Sequence, residues 1–277
     1  MQVIEQHIIG KRGAELCEDT LLVTDSFAAV VDGSTSKSTL PPLDSRLSHG
    51  QIAAECVCRY VRTCPKDIDM PTFCEGVTTA LRKQYPIHRP TLTWQHLAQH
   101  PEDRFTCSAI VYSAYRQQIW MIGDCHCLLL DKKTHATHYY DNPKPMENIL
   151  AAKRSEKILQ MLAAGSSIDD IRNNDEGRAS IIPQLKASMK AQNHDYAVID
   201  GFGIPINKVK VINTQDIEEI ILASDGYPHL FPTLDAAELH LRTLLANDPL
   251  LIHDYKATKG WYPGSNSFDD RCYLRFR

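Results

Sequence analysis

Acidic residues stand at the edges of apolar, strand-like runs at five points along the chain. These points are Glu18-Asp19, Asp32-Gly33, Gly123-Asp124, Asp225-Gly226 and Asp269-Asp270. Strand edges hold side chains rigidly, and carboxylates gathered at one end of a sheet repel one another unless cations lie between them. A single Asp-Gly after a strand is usually a turn. Five such sites in one chain favour a shared metal centre.

The chemistry of this predicted centre follows from its ligands, which are all oxygen atoms. Oxygen ligands select hard cations such as magnesium or manganese over zinc. Two such ions about 3.5–4 Å apart bridge a hydroxide, lower its pKa and hold both the attacking and the leaving oxygens of an in-line displacement. The pattern therefore predicts hydrolysis of phosphate esters.

Composition excludes several other classes of protein. The chain has 277 residues and a formal net charge of −4, and it contains no Lys/Arg-rich run, so it lacks the basic field that nucleic acid binding demands. No run of about 18 apolar residues is present, and the first ten residues do not resemble a leader peptide, so we expect neither export nor a membrane partner. Nine cysteines cannot all pair internally, which favours a reducing, cytoplasmic location.

Apolar spacing predicts strands on both sides of helical blocks. Predicted strands cover 21–31, 109–115, 118–122, 127–131, 196–199, 208–212, 219–223 and 272–276, and the run from 109 to 131 is typical of an antiparallel meander. Predicted helices cover 52–61, 73–81, two or three segments of 144–192, and 236–245, while 86–104 is expected to be a loop or a short irregular helix. This order favours an α+β fold with a largely antiparallel sheet or sandwich.

The ordered set of acidic motifs resembles the metal-dependent serine/threonine protein phosphatases of type 2C, the PPM family. The resemblance extends over nearly the whole chain, and its most specific part is Leu222-Ala223-Ser224-Asp225-Gly226. It implies a four-layer αββα sandwich of two antiparallel sheets flanked by helices. It also implies a single phosphatase-like domain over residues 1–277, with a helical flap or insert at about 144–192.

The resemblance assigns the main metal ligands residue by residue. Asp32 would bridge two metals, and the Gly33 carbonyl would bind one of them. Asp225 and Asp269 would complete the shell of the other. Asp32, Asp225 and Asp269 are therefore the expected catalytic residues, and the attacking group would be the hydroxide between the metals, with no phosphoenzyme.

Three further acidic residues are assigned supporting roles by the same resemblance. Glu18 would hold the metal at Gly33 largely through water, Asp19 would support that shell, and Asp124 would help to hold a weaker third ion. Family members often grip the phosphate with an Arg at the position of Ala14. Here Lys11 or Arg12 is expected to serve instead, because a basic loop residue needs only charge and approach.

Other departures concern the residues beside these ligands. Ser34 follows the Asp-Gly where some relatives have a proton-donating His, and Cys125-His126 follow Asp124 where the family usually has Ser-Arg. Asp270 replaces the usual Asn and adds a negative charge beside Asp269.

The function implied is hydrolysis of phosphoserine or phosphothreonine in a protein substrate, with two Mn²⁺ or Mg²⁺ ions in the main site and a weaker third. We expect a monomer. Two alternatives stay open: a pseudophosphatase that keeps the fold as a regulatory binding module, and a phosphatase of a small phosphorylated metabolite.

Overall fold

Two five-stranded antiparallel sheets form the centre of the protein, in a computed structural model that describes residues 1–43 and 46–277. The first sheet has the order β2 (Thr20–Val23), β3 (Phe27–Gly33), β4 (Cys107–Ser113), β5 (Gln118–Ile122), β8 (Lys210–Asn213). The second has the order β1 (Val3–Ile9), β10 (Arg271–Phe276), β9 (Ile217–Ala223), β6 (His126–Asp131), β7 (Thr137–Tyr140).

Strand β3 shows how the sheets are packed. Successive side chains of a strand point to opposite faces. Ala28 and Val30 accordingly lie in the core between the two sheets, whereas Ala29 and Val31 lie in a second core on the outer face of the first sheet. All four are fully buried. The strand is therefore apolar throughout, because both of its faces are covered.

Helices cover the outer faces of both sheets. Helices α1 (His49–Thr63) and α2 (Met70–Arg82) pack on the first sheet, and α1 begins at a capping box in which Ser48 and Gln51 bond each other's backbone. Helix α8 (Leu234–Asn247) contributes Ala237 to the apolar cluster on the second sheet. The predicted αββα sandwich is confirmed.

Five further α-helices lie between the strands in the described ranges. Two short ones, α3 (Tyr85–His88) and α4 (Trp94–Gln99), occupy the region expected to be a loop or an irregular helix. The other three, α5 (Glu147–Ala163), α6 (Ile168–Asn173) and α7 (Glu176–Met189), are consecutive and separate β7 from β8. We call these three helices the insert. No helix in the described part of the chain is long and apolar enough to cross a membrane.

The predicted meander is wrong at its third strand. Strands β4 and β5 pair in the first sheet, but β6 pairs with β7 and β9 in the second. The chain leaves the first sheet at Gly123, whose φ of 100° turns it away and whose missing side chain makes room for Ser108. This crossing places Asp124 between the two sheets.

The predicted strand at 196–199 is also wrong, because these residues form only isolated bridges with Cys107 and Gln192. Two strands were not predicted. β1 and β7 lie at the edges of the second sheet and are mostly exposed, so neither has a strong apolar signal.

Candidate metal centre

The first sheet brings two of the predicted acidic sites to one edge. Asp32 lies near the end of β3, and Asp19 directly precedes β2, which pairs antiparallel with β3 from Thr20 opposite Val31. The end of one strand therefore meets the start of the other. The backbone N–H of Gly33 donates to the Glu18 carbonyl at 3.2 Å, which ties the two motifs together.

The second sheet brings two more acidic sites to its own edge in the same way. Asp225 follows the end of β9, and Asp269 precedes the start of the antiparallel neighbour β10. Ser224 fixes this corner. Its backbone N–H donates to the Cys272 carbonyl at 3.0 Å, and its hydroxyl accepts from the Cys272 N–H at 2.8 Å.

The two edges face each other across one cavity, which Asp32 of the first sheet and Asp225 and Asp269 of the second all line. Burial and the charges of Asp225 and Asp19 raise the pKa of Asp32 well above its ordinary value. Burial and Asp269 raise the pKa of Asp225 to about 7. Since like charges act on one another at such strength only when they are close, carboxylates from both sheets belong to one cluster.

Asp19 provides a direct test of whether a cation fits. The side chain is 7 % exposed, and its Oδ2 atom is fully buried without a hydrogen-bond partner among the described residues. Burial raises the pKa of Asp19 well above its ordinary value, with the nearby Ser224 hydroxyl opposing the rise and Asp269 adding to it. A buried, unpartnered carboxylate oxygen amid other carboxylates is unfavourable unless a cation neutralises it. The donor set fits hard divalent cations.

Glu18 is held in place by two hydroxyl groups. Thr35 Oγ1 donates to Glu18 Oε2 at 2.7 Å, and Ser48 Oγ donates to Glu18 Oε1 at 2.5 Å. A side chain at Gly33 would come within 2.5 Å of the Glu18 carbonyl oxygen, so only glycine fits there. The loop after β3 and the start of α1 together orient this carboxylate.

Asp269 differs from the other carboxylates because two lysines contact it. Lys11 Nζ lies 3.0 Å from Asp269 Oδ1, and Lys259 Nζ contacts Oδ2. Burial acts to raise the pKa of Asp269, but these two charges outweigh it and lower the pKa to about 2. The backbone N–H of Lys11 also donates to Asp270 Oδ1 at 2.7 Å. Asp270, the departure from the family pattern, therefore anchors the Lys11 loop.

The two basic residues proposed for phosphate are placed differently. Lys11 lies against Asp269 and also donates to Thr35 Oγ1 at 3.2 Å. Arg12 is exposed, as is Ala14. The structure thus places Lys11, and not Arg12, beside the carboxylates.

Asp124 takes part in a second acidic group, which shares Asp225 with the first. Its Oδ1 accepts from Ser108 Oγ, and its Oδ2 contacts Lys144 Nζ. Carboxylate oxygens of Asp124, Glu147 and Asp225 all lie within 4.8 Å of one another. Three carboxylates this close together are a candidate cation site, and Glu147 at the start of α5 is a member that the motifs did not indicate.

His126, which stands near the family's usual Arg, supports the backbone beside Asp225. Its Nε2 lies 3.0 Å from the Ser224 carbonyl, and its Nδ1 lies 2.8 Å from the Tyr139 hydroxyl. Burial lowers the pKa of His126 to about 4, so the ring is neutral at physiological pH. It positions the strand end and carries no charge for phosphate.

A cavity of about 230 Å³ opens beside the carboxylates. Asp32, Asp225 and Asp269 line it on one side, and apolar side chains of the insert line it on another. Its cationic lining residues are Lys37, Lys144, Arg178 and Lys259. Lys37 lies on the Ser/Thr-rich loop after Asp32-Gly33, which the sequence placed at the rim of the site. The motifs did not indicate Lys144, Arg178 or Lys259, because their positions depend on how the loops and the insert fold over the sheet edge.

The arrangement offers oxygen ligands for divalent cations next to a cavity that carries positive charge. Such a combination suits an anionic substrate whose oxygens lie between the cations and the lysines. The cluster draws on β2, β3, β9, β10 and the connections around them. It exists only when both sheets are packed together.

Comparisons with known proteins were made by sequence and by structure. No protein-family model and no curated sequence matches the chain. Among solved structures, the chain is similar to serine/threonine phosphatase Stp1 from Staphylococcus aureus, at 10 % identity and a TM-score of 0.49, covering 99 % of this chain and 94 % of that one. It is also similar to the PPM phosphatase MsPP from Mycobacterium smegmatis, at 12 % identity and a TM-score of 0.46, covering 99 % and 98 %.

Proposed function

We propose that the protein is a metal-dependent phosphatase that hydrolyses phosphoserine or phosphothreonine in a protein substrate. One observation carries the proposal: Asp19, Asp32, Asp225 and Asp269 lie far apart in the sequence but belong to one buried to half-buried cluster, in which Asp19 has an unpartnered oxygen. Cations are the partners that such a cluster requires.

The residues have distinct roles in this proposal. Asp32, the Gly33 carbonyl, Asp225 and Asp269 would hold two Mn²⁺ or Mg²⁺ ions, with Glu18 and Asp19 in support. Bound ions of this kind supply an activated water and neutralise charge on a phosphoryl group. Thr35 and Ser48 orient Glu18 through its two oxygens.

Lys11 and Lys259 are proposed to set the geometry of Asp269 and to attract the phosphoryl group. Both contact this carboxylate, and Lys259 also lines the cavity. Lys11 would thereby do the work of the phosphate-binding Arg that the family has at the position of Ala14. We further propose that Asp124, Glu147 and Asp225 bind a weaker third ion, and that the enzyme is a cytoplasmic monomer.

The test is metal-dependent turnover of an aryl phosphate. Purified protein stripped with EDTA should be inactive, and added Mn²⁺ or Mg²⁺ should restore activity. Asp32→Asn and Asp225→Asn should each lower kcat/KM by at least about 100-fold, because each removes charge that holds the ions. Asp25→Asn is the matched control, since exposed Asp25 precedes β3 at the opposite end from Asp32. Turnover in EDTA that both site variants retain would disprove the proposal.

A second candidate function, the regulatory binding module, is favoured by the lysines on the carboxylates. Lys11, Lys144 and Lys259 already neutralise part of the cluster. Calorimetric titration with Mn²⁺ separates the two functions: two-site binding without turnover of any phosphoester would favour the module. A panel of phosphopeptides set against small phosphate esters decides between protein and metabolite substrates.

A further inference from the structure

Two of the four cationic side chains that line the cavity, those of Lys37 and Arg178, form no ion pair with a carboxylate among the described residues. Lys144 pairs with Asp124 and Lys259 pairs with Asp269. Lys37 Nζ instead donates to the Thr35 carbonyl at 3.1 Å, and Arg178 Nη1 donates to the Thr258 carbonyl at 2.9 Å. Within residues 1–43 and 46–277, the side-chain nitrogens of these two residues have no carboxylate oxygen within 4.0 Å.

These two side chains come from different parts of the fold. Lys37 lies on the loop that follows β3, and Arg178 lies in the first turn of α7. The backbone N–H of Arg178 donates to the capping carboxylate of Asp175 at 2.7 Å, which fixes the start of the helix. The cavity is therefore bounded by the loop that follows β3 on one side and by the insert on the other.

The positive charge of Arg178 acts on Lys37. Burial, and then repulsion from Arg178, lowers the pKa of Lys37 to about 7. Burial also lowers the pKa of Arg178. Both side chains are partly buried. An anion that contacts both cations would relieve the repulsion on Lys37, and hydrogen bonds to charged groups of this kind are the strong ones.

We infer that Lys37 and Arg178 form a subsite for a second anionic group on the substrate, a carboxylate or a phosphate, distinct from the phosphoryl group that is removed. The inference rests on the proposed function and adds a substrate class to it: phosphopeptides with an acidic residue or a second phosphate beside the phosphoserine. Leu150, Leu185 and Met189 of the insert supply an apolar wall for the rest of such a peptide.

The experiment compares two phosphoserine peptides of equal length, one with flanking Asp and one with flanking Asn. The wild-type enzyme with Mn²⁺ should show about tenfold higher kcat/KM for the acidic peptide, mainly through KM. In Lys37→Met and Arg178→Met this ratio should fall towards one. Arg178→Lys keeps the charge and should keep most of the preference, which separates loss of the subsite from loss of folding.

Lys190→Met is the matched control, since it removes an exposed charge at the end of the same helix α7. It should leave the acidic preference at the wild-type ratio. Equal kcat/KM for the two peptides in the wild type, or an unchanged preference in Lys37→Met and Arg178→Met, would overturn the inference. A peptide with a second phosphoserine in place of Asp tells whether phosphate or carboxylate is the better occupant.

Failure of the proposed function is distinguishable from failure of the subsite. If no phosphoester is hydrolysed, the phosphatase proposal fails, and calorimetric binding of the same two peptides then judges the subsite alone. A tenfold higher affinity for the acidic peptide that is lost in Arg178→Met supports the anion subsite. Equal affinities of the wild type for the two peptides refute the subsite.

Discussion

At the scale of single residues, burial decides which side chains sense pH. His49 is 5 % exposed, and its Nε2 lies 3.2 Å from Arg89 Nη2. Burial and the Arg89 charge lower the pKa of His49 to about 4. The folded protein therefore keeps this ring neutral over a pH range in which an unfolded chain, with a histidine pKa of about 6.5, takes up a proton.

His49 should therefore make the fold sensitive to acid. Above about pH 6.5, the titration of His49 does not change the free energy of unfolding. As the pH falls towards 4, it lowers that free energy progressively, by about 2 kcal/mol at pH 5. Urea unfolding at pH 7.5 and pH 5 should show that His49→Gln loses about 2 kcal/mol less than the wild type between these values. Exposed His138→Gln is the control. The same pH dependence in wild type and His49→Gln would contradict the prediction.

Single residues also show what the sequence could identify in the site. The acidic ligands were predicted because each adjoins a strong apolar run, as Asp225 follows β9. Glu147, Lys144 and Lys259 were missed because their positions depend on how the loops and the insert fold back over the sheet edge. No local pattern contains that information.

At the scale of elements, one buried arginine anchors the insert. Arg154 of α5 has no exposed side-chain surface, and its Nε donates to Asp175 Oδ2 at 2.9 Å. Its Nη1 donates to the carbonyls of Leu250 and Ala257 at 2.9 and 3.1 Å. A single side chain thus ties α5 to the start of α7 and to the loop that leads to Lys259.

Arg154→Met should loosen this whole region. The change leaves the Asp175 carboxylate buried without its partner, which costs about 3–5 kcal/mol. Hydrogen exchange should speed up in the insert and in residues 248–257, while β3 and β4 stay protected. Exposed Lys153→Met, one position earlier on α5, is the control. Exchange that is unchanged in the insert would refute this role for Arg154.

The elements also show why part of the fold was predictable and part was not. Helices α1 and α2 and strands β3 to β5 have strong apolar periods, since each packs against a large core. The sheet to which β6 belongs was not predictable, because a three-residue connection after β5 can form either a hairpin within one sheet or a crossing to the other sheet. The positive φ of Gly123 directs the chain to the second sheet.

At the scale of the whole molecule, cation binding and folding are linked. The clustered carboxylates repel one another in the absence of ions, so under the proposed function the metal-free protein carries an energetic cost that bound divalent cations would remove. Ligand at 100 times its Kd adds about 2.7 kcal/mol. The melting temperature of the wild type should therefore rise by several degrees on going from EDTA to saturating Mn²⁺.

Asp225→Asn should stabilise the metal-free protein and weaken its stabilisation by Mn²⁺. It removes a buried charge that Asp269 and Asp124 repel, so in EDTA the variant should melt about 2–4 °C above the wild type. Mn²⁺ should add less stability to it than to the wild type. Calorimetric melting with and without Mn²⁺ measures both effects, and Asp25→Asn should behave like the wild type. A variant that melts lower in EDTA would show that repulsion does not dominate here.

Strand β10 lies in the interior of its sheet, between β1 and β9, although it comes after every other strand of that sheet in the sequence. Its pairing joins Glu5 to Arg275, residues that are 270 positions apart. During synthesis β1 therefore waits without a partner until β10 has emerged, and Asp269 emerges just before it. The carboxylate cluster is consequently incomplete until β10 has been synthesised, so a nascent chain that ends before β10 lacks the proposed cation site.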